Sequence, residues 1–420
     1  MKTKTKKKGR GLKITAIVLA AIIFVIGVCV LITYISSEAN IKYAKNVETV
    51  KIENQLKPEI DPETGFWTFK CDRDFRVMQL TDVHIGGGFL SIQKDNWALN
   101  AVANLITDQK PDLVIVTGDI GFPVPFIAGT FNNLTPVKEF SSLMEKLGVY
   151  WTFVYGNHDT EVYSYYTRDD IDRYYNEKIA GGEFKYCLYK SSFSGTIDGY
   201  EGIEADAGYG NTVINVKDSE GVITQSLFIF DSHSYEKGFF QDYDHMHKCQ
   251  IDWYEKTVKE LNALNKTKLG LTGDVMTLKS LAFFHIPMSE YKDAYKEWYD
   301  NGQKDTESVQ LKYGVMGEDL DGEWVYCGVT EDELFETMMR LNSTQGVFCG
   351  HDHYNNFSLF YKKPTDDHSI RLTYGMSIDY LAYFGIAKKT AQRGCTMITI
   401  KTDGSFDCFG YRLVDKTIID

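Results

Sequence analysis

The chain has 420 residues, of which 43% are hydrophobic and 25% charged, which is ordinary for a globular protein and enough for one large domain or two small ones. It contains 45 basic and 58 acidic residues, and seven of the basic residues precede residue 14. The remainder therefore has 38 basic against 58 acidic residues, a net charge of −20. So acidic a region argues against binding of long nucleic acid, which needs clustered Lys and Arg.

The N-terminal segment predicts a membrane anchor. Residues 1–13 form a basic tail, and residues 14–35 are almost uniformly apolar, a length that suits a helix crossing about 30 Å of hydrocarbon. A cleaved signal peptide is the alternative, but its apolar region is usually only about 7–15 residues long, and residues 36–40 make a poor cleavage site. Because basic residues favour the cytoplasmic side, we predict a single-pass protein with a cytoplasmic N-terminus and an extracytoplasmic domain.

The rest of the chain is predicted to form a short linker and one folded domain. Residues 36–65 are polar and contain Pro58 and Pro62, which indicates a juxtamembrane linker. Residues 66–420 contain no second linker, internal repeat or low-complexity tract, so we assign them to a single domain.

Short apolar runs bounded by turn residues predict buried strands in this domain. These runs are Phe75–Leu80, Leu113–Val116, Tyr150–Tyr155, Leu281–Phe284 and Gly346–Cys349. Helical patterns lie between several of them; in residues 247–264, for example, apolar side chains recur on one helical face. Strands that alternate with helices indicate an α/β fold with a largely parallel central sheet.

Polar residues suited to metal binding follow each predicted strand. They are, in chain order, Asp82 and His84, then Asp119, then Asn157 with His158 and Asp159, then His285, and finally His351 and His353. Because ligands of open α/β sheets bind beyond the carboxyl ends of the strands, we expect these side chains to meet at one edge. Glycines before three of the groups permit the abrupt turns that this requires.

Two Asp, one Asn and four His form a nitrogen and oxygen ligand set suited to Mn, Fe or Zn. Seven ligands exceed the needs of one tetrahedral ion, so we predict two ions that share a carboxylate. Two such ions bind the oxygens of a phosphoryl group and lower the pKa of water. His158 is placed to meet developing charge or to protonate a leaving oxygen, with Asp159 or a backbone carbonyl fixing its ring.

The order of these motifs, D-x-H, G-D, G-N-H-D, an isolated His and G-H-x-H, resembles the calcineurin-like metallophosphoesterase superfamily from about residue 75 to about residue 355. The resemblance implies a β-sandwich of two mixed sheets flanked by helices, here preceded by one transmembrane helix. It implies one metal bound by Asp82, His84, Asp119 and His353, and another bound by Asp119, Asn157, His285 and His351. Asp119 would bridge the metals, and His158 would be the catalytic histidine.

Segments 230–233, 250–253 and 353–357 resemble the purple acid phosphatase-like branch of that superfamily. Purple acid phosphatases have a Tyr ligand three residues after the bridging Asp, where this chain has Phe122, and a Gly where it has His84. An imidazole can occupy the position that tyrosinate otherwise fills. The resemblance therefore implies a complete site without the tyrosinate–iron(III) colour.

Two more residues are candidates for substrate binding. His233 follows a strand and forms a second D-x-H with Asp231, so it either lines the pocket or hydrogen-bonds at the strand end. Asn356, shortly after His353, is the other candidate. The remaining histidines, His245, His247 and His368, lie in polar segments, where we expect them to be solvated.

Together these features predict a membrane-anchored, extracytoplasmic enzyme that hydrolyses a phosphate mono- or diester of a small substrate with a metal-activated hydroxide. A pyrophosphatase or phosphodiesterase acting on a lipid-linked or cell-wall substrate is one alternative. The other is an inactive metal-binding scaffold, although its usual signature, a lost ligand or catalytic histidine, is absent from the sequence.

Overall fold

The computed structural model describes residues 5–191, 207–236, 242–314, 325–330, 332–383 and 393–420. In these residues two mixed β-sheets form the centre of the molecule. Sheet A consists of β1 (Glu59–Ile60), β2 (Trp67–Lys70), β6 (Thr212–Lys217), β7 (Ile223–Ile229), β8 (Ser280–Phe283), β9 (Val309–Tyr313), β10 (Thr344–Cys349), β11 (Ser358–Tyr361) and β12 (Ile370–Tyr374). Sheet B consists of β3 (Phe75–Leu80), β4 (Leu113–Thr117), β5 (Tyr150–Val154), β13 (Gly394–Ile400), β14 (Phe406–Arg412) and β15 (Ile418–Ile419).

Each sheet has a parallel centre. The strand order in sheet A is β1-β2-β6-β7-β8-β10-β12-β11-β9, and β7, β8, β10 and β12 run parallel to one another. The order in sheet B is β15-β14-β13-β3-β4-β5, in which β3, β4 and β5 are parallel. The carboxyl ends of neighbouring parallel strands lie at the same edge of their sheet, and this arrangement brings the predicted ligands together.

Helices cover the outer faces of both sheets. The helices are α1 (Thr5–Asn46), α2 (Ile92–Gln109), α3 (Leu134–Leu147), α4 (Arg168–Ala180), α5 (Lys248–Leu269), α6 (Ser289–Asp300) and α7 (Leu334–Leu341). One apolar core packs sheet A against α5, α6 and α7, and a second packs sheet B against α2, α3 and α4. A third core fills the space between the sheets. The fold is therefore a β-sandwich flanked by helices, as the sequence resemblance implied.

The central strands are buried on both faces. In β3, Val77 faces the core between the sheets and Met78 faces the helices. In β8, Leu281 faces the core between the sheets and Ala282 faces the helices. Strands buried on both faces are continuous apolar runs in the sequence, which is why all five were predicted. The expectation of one largely parallel sheet is wrong, because these five strands belong to two sheets. Burial on both faces does not reveal which sheet a strand joins.

Helix α1 is longer than the predicted span. Its portion Gly11–Asn46 is long and apolar enough to cross a membrane, with a mean hydropathy of 3.1 over its most apolar 18 residues. The helix continues to Asn46, so residues 36–46, predicted as part of a linker, are helical. These residues contain no proline, and Asn40 and Ala44 are buried against the folded domain, which stabilises the extra turns.

Candidate metal centre

The predicted ligands directly follow the ends of strands from both sheets. Four of them, Asp82, His84, Asp119 and His351, have positive φ angles of 51°, 51°, 52° and 77°. Such backbone conformations are unfavourable for residues with a side chain and are concentrated at functional sites. Gly156 permits the close approach of two loops, because a Cβ there would lie 2.1 Å from Asp119 Oδ1. The local backbone is therefore arranged around these side chains.

The seven predicted ligands form two adjoining groups. Donor atoms of Asp82, His84 and His353 lie within 4.8 Å of one another, as do those of Asp119, His285 and His351. All six residues are buried. Asn157 Oδ1 lies 3.1 Å from His285 Nε2, which places the seventh ligand in the second group.

Asp119 lies between the two groups. Its Oδ2 atom is 3.3 Å from His84 Nε2 and 3.2 Å from His285 Nε2. The other carboxylate oxygen, Oδ1, accepts a hydrogen bond from the backbone N–H of His158 at 2.9 Å. A single oxygen shared between two groups of donors is the arrangement expected of a bridging ligand.

The spacing and orientation of the donors fit metal ions. Metal–ligand bonds of about 2.0–2.2 Å separate neighbouring donor atoms by about 3.0–3.5 Å, and the distances around Asp119 fall in this range. His285 Nδ1 lies 2.8 Å from the carbonyl oxygen of Thr117, which leaves Nε2 for a metal. Anchoring of the outer ring nitrogen is typical of metal-binding histidines.

Asp379 contacts two of the predicted ligands and was missed by the sequence reasoning. Its Oδ1 lies 3.4 Å from His84 Nδ1 and its Oδ2 lies 3.3 Å from His353 Nδ1, so one buried carboxylate faces the outer nitrogens of two ligands. The carboxylate also accepts hydrogen bonds from the backbone amides of Leu381, Ala382 and Tyr383. Asp379 follows the apolar strand β12, as the other polar groups follow theirs, but four residues separate it from the strand end.

The electrostatics of the centre favour bound cations. Burial opposes the charged form of His84, but contacts with Asp119 and Asp379 outweigh burial and raise the pKa of His84 to about 10. Burial likewise opposes charge on His285, yet the charge of Asp119 raises its pKa to about 9. Burial alone would raise the pKa of Asp119, but the neighbouring histidines hold it well below its usual range. The carboxylates thus stabilise positive charge at the centre, which metal ions supply without protons.

A family model described as calcineurin-like phosphoesterase matches residues 75–355, more than half of the chain. The chain belongs to the calcineurin-like phosphoesterase family. This family is typically dependent on a dinuclear metal centre, in agreement with the two groups of donors described above.

Similar proteins include members of the purple acid phosphatase-like branch. Phosphatase DCR2 of Saccharomyces cerevisiae is 28% identical over 314 residues, which cover 72% of this chain and 47% of the yeast protein. The chain therefore spans about half the length of that relative. Probable inactive purple acid phosphatase 29 of Arabidopsis thaliana is 24% identical over 338 residues, which cover 75% of this chain and 74% of the plant protein. Among solved structures, a dimetal phosphatase from Danio rerio has 8% identity and a TM-score of 0.41, and the match covers 80% of this chain and 98% of that chain.

His158 lies beside the metal ligands and remains accessible. Its ring is 5.5 Å from that of His84 and 4.7 Å from that of Phe122, measured between centroids, and its side chain is 23% exposed. Phe122 also stacks on His84 at 4.7 Å with 19° between the planes. Phe122, at the position of the tyrosine ligand of purple acid phosphatases, therefore packs against the predicted ligand His84 and the predicted catalyst His158 and offers no oxygen.

Glu161, rather than Asp159, orients His158, which corrects the sequence expectation. Glu161 Oε1 lies 2.7 Å from His158 Nδ1. The Asp159 carboxylate instead accepts hydrogen bonds from the backbone amides of Asp119, Gly121 and Gly156 at 3.1, 2.9 and 2.8 Å. Three backbone donors occupy the Asp159 oxygens, so this residue holds the loops after β4 and β5 together.

The two candidates for substrate binding differ from the other site residues. His233 Nε2 lies 2.9 Å from Gln250 Oε1, and the His233 ring stacks on that of His247 at 4.1 Å. These contacts support the strand-end alternative for His233. Asn356 is buried, with 2% exposure, so its access to a substrate stays a prediction.

Arg168 and Tyr235 connect loops around the centre and were not identified from the sequence. Arg168 forms an ion pair with Asp231 at 2.6 Å and donates to Ser234 Oγ at 2.7 Å, which joins the start of α4 to the loop after β7. The Tyr235 hydroxyl accepts from Asn157 Nδ2 at 3.0 Å and donates to Glu161 at 3.2 Å. Tyr235 thereby turns the oxygen of Asn157 toward His285.

Proposed function

We propose that the chain is a membrane-anchored, extracytoplasmic metallophosphoesterase that hydrolyses a phosphate mono- or diester of a small substrate. The observation that carries this proposal is the position of Asp119 Oδ2 between two complete groups of metal ligands, with the accessible His158 beside them. The side chains predicted to hold two ions are all present, and the spacing of their donor atoms supports the proposal.

The residues of the chain would divide the chemistry among them. The seven predicted ligands would hold two transition-metal ions (Mn, Fe or Zn), which would supply Lewis acidity toward phosphoryl oxygens and toward a bound water. Because Glu161 occupies His158 Nδ1, the remaining Nε2 is the nitrogen that can donate a proton to the leaving oxygen. Asn157 and Asp119 are held by Tyr235 and by the His158 backbone, so the reacting groups need little rearrangement.

The proposed location rests on α1 and its basic flank. The apolar segment 14–35 lies in a helix that can span a membrane, and seven basic residues precede this segment, which favours a cytoplasmic N-terminus and an extracytoplasmic centre. Protease treatment of intact cells tests this topology. Digestion of the folded domain from outside supports it, and protection of the domain with digestion only after lysis contradicts it.

A substrate panel on the purified full-length chain in detergent tests the activity. The chain is stripped of metal, reconstituted with Mn²⁺, Zn²⁺ or Fe²⁺, and assayed with 4-nitrophenyl phosphate and bis(4-nitrophenyl) phosphate. We expect hydrolysis of at least one ester and none by the Asp119→Asn control. Binding of two ions without hydrolysis of any ester would instead support an inactive scaffold, a role suggested by the names of the plant relatives.

A further inference from the structure

The end of α1 shows on which side of the domain the membrane lies. Asn40 of α1 accepts a hydrogen bond from Asn96 of α2 at 2.7 Å and donates to Glu139 of α3 at 2.8 Å. One turn later, Tyr43 donates to Asn100 of α2. Residue numbers thus rise together in the paired helices, so α1 runs in the same direction as α2.

The contacts with α3 show the same direction. After Asn40 pairs with Glu139, the backbone N–H of Val50 donates to the carbonyl oxygen of Leu147 at 2.9 Å, at the C-terminal end of α3. Helix α2 follows β3 and helix α3 follows β4, each after a loop. Both helices therefore begin on the side where these strands have their carboxyl ends, which is the edge of the predicted metal ligands. The N-terminal, apolar part of α1 therefore extends past this same edge.

The level of the membrane follows from the helix rise. Asn40 lies beside Asn96 and Glu139, which are four and five residues inside the starts of their helices. Ile35, the end of the predicted span, is five residues before Asn40, a distance of about 7.5 Å at 1.5 Å per residue. The end of the span is thus level with the starts of α2 and α3, next to the loops that carry the metal ligands.

These loops expose large apolar side chains at that level. They follow β3, β4 and β5, and we call their exposed apolar residues the apolar rim: Leu90, Phe126, Ile127, Phe131, Val162 and Tyr165. Phe126 is 93% exposed and Val162 is 90% exposed, so neither has a covering partner among the described residues. The backbone N–H of Leu90 donates to Ala128 and that of Tyr165 donates to Phe131, so the three loops are joined.

The apolar rim borders the catalytic residues. Val162 directly follows Glu161, the residue that holds His158. The loop after β4 carries both Asp119 and Phe126, and the loop after β3 carries His84 and Leu90. Whatever covers the apolar rim therefore also faces the approach to the metal centre.

We propose that the apolar rim inserts into the membrane interface beside α1, and that the substrate is an amphiphilic phosphate ester presented by that same bilayer. The substrate class rests on the proposed hydrolytic function, whereas the membrane contact rests only on the proposed anchoring by α1. Phe, Tyr and Leu side chains are favourable at the interface, and α1 holds the rim there. The net charge of −20 beyond residue 13 favours a neutral rather than an anionic lipid surface.

Fluorescence quenching tests the membrane contact without using activity. The full-length chain is reconstituted in phosphatidylcholine vesicles with ordinary or brominated acyl chains, and the emission added by Phe126→Trp is measured against wild type. The control is Leu271→Trp, a partly exposed apolar position just after α5, at the opposite edge of sheet A. We expect brominated lipid to quench most of the emission added at position 126 and little of that at position 271. Equal quenching at both positions, or none at position 126, overturns the proposal.

Kinetics test the substrate class. If the soluble panel shows a diesterase, hexadecyl and methyl 4-nitrophenyl phosphate are compared; if it shows a monoesterase, hexadecyl and butyl phosphate are compared. The double variant Phe126→Glu with Phe131→Glu is expected to lower kcat/KM for the hexadecyl ester by about tenfold or more and to leave the short ester within about twofold. The matched variant Leu271→Glu with Val275→Glu should change neither.

The outcomes separate this inference from the proposed function. If the double variant lowers kcat/KM for both esters alike, or for neither, the proposal of an amphiphilic substrate is overturned. Absence of hydrolysis of every ester, short or long, contradicts the proposed function and with it the substrate class. The quenching result at position 126 still decides whether the apolar rim meets the membrane.

Discussion

The two sheets contribute unequal halves to the metal centre. The loops of sheet B carry the predicted ligands Asp82, His84, Asp119 and Asn157 together with the predicted catalyst His158, whereas those of sheet A carry the predicted ligands His285, His351 and His353. The two carboxylates and His158 thus come from one side, and three imidazole rings complete the predicted set from the other. Asp379, which follows a strand of sheet A, faces one ligand from each half.

The surroundings of the two halves also differ. On the sheet A side, Tyr243 packs on His351 with 4.4 Å between ring centroids, and Tyr235 binds Asn157. On the sheet B side, the loops end in exposed apolar residues such as Phe126. Tyrosines of the sheet A loops thus pack on predicted ligands, whereas the sheet B loops expose apolar side chains, which is the difference expected if substrate and membrane approach from the sheet B side as proposed.

The largest expected effect comes from the ligand shared by both halves. Asp119→Asn should release both ions and reduce kcat by at least about 10³-fold, because the bridging oxygen lies between the two groups. His285→Ala, which removes a sheet A ligand of the second group only, should retain one ion. Metal analysis of both variants checks this, and two ions retained by Asp119→Asn would show that the halves are not joined through this residue.

Next in size is the loss of the catalyst on the sheet B side. His158→Ala should retain both metals and lose about 10²–10⁴-fold in kcat. Glu161→Gln should cost less and alter the pH dependence of kcat, because Glu161 holds the ring through Nδ1. Asp159→Asn should lower thermal stability without that change in pH dependence, since its carboxylate binds backbone amides. A pH profile altered by Asp159→Asn but not by Glu161→Gln would reverse these two roles.

Asp379, which faces one predicted ligand from each half, should affect metal affinity rather than turnover. Asp379→Asn is expected to weaken metal binding by about 10–100-fold, first at the ion bound by His84 and His353. Asp352→Asn is a control, because Asp352 lies between two ligands in sequence but accepts from the backbone of Tyr326 and from the Tyr374 hydroxyl. Competitive titration with a chelator measures the metal affinity of both variants. Equal losses in the two variants would remove the special role of Asp379.

The smallest expected effect on the metal centre comes from a residue behind sheet A, away from the predicted ligands. Burial raises the pKa of Glu290 in α6 to about 7. A raised folded-state pKa stabilises the fold at low pH, and this contribution is lost as pH rises from about 4.5 through about 7. The variant Glu290→Gln has no titrating group here and should not lose this contribution. Its free energy of unfolding relative to that of wild type should therefore increase between about pH 4.5 and about pH 7, by about 3 kcal/mol at most. Thermal unfolding at pH 5 and pH 8 tests this, and a constant difference would show that Glu290 is not the titrating group.

The sequence was informative where one strand and the residues after it sufficed. The five apolar strands and the seven ligands after them were predicted, because burial on both faces and the polar residue after the strand end are local signals. Family membership, the two-sheet fold and similarity to purple acid phosphatase-like proteins are confirmed. The roles of the individual ligands stay predictions supported by their spacing.

What the sequence did not show depends on pairing between distant segments. Asp379 faces ligands from two sheets, and Arg168 connects α4 to the loop after β7, so neither role has a local signal. Glu161 was missed although it lies three residues after His158, because the adjacent Asp159 was an equally plausible partner. The extra turns of α1 depend on packing against Asn96 and Glu139, which lie far along the chain.

Metal titration of the wild-type chain tests the central claim most directly. Metal-free, full-length protein receives increasing amounts of Mn²⁺ or Zn²⁺, and bound metal and phosphate-ester hydrolysis are measured on the same samples. The two groups of donors joined by Asp119 predict that hydrolysis rises to its maximum when about two ions are bound per chain. Maximal hydrolysis with one ion, or two bound ions without hydrolysis, would contradict a dinuclear phosphoesterase.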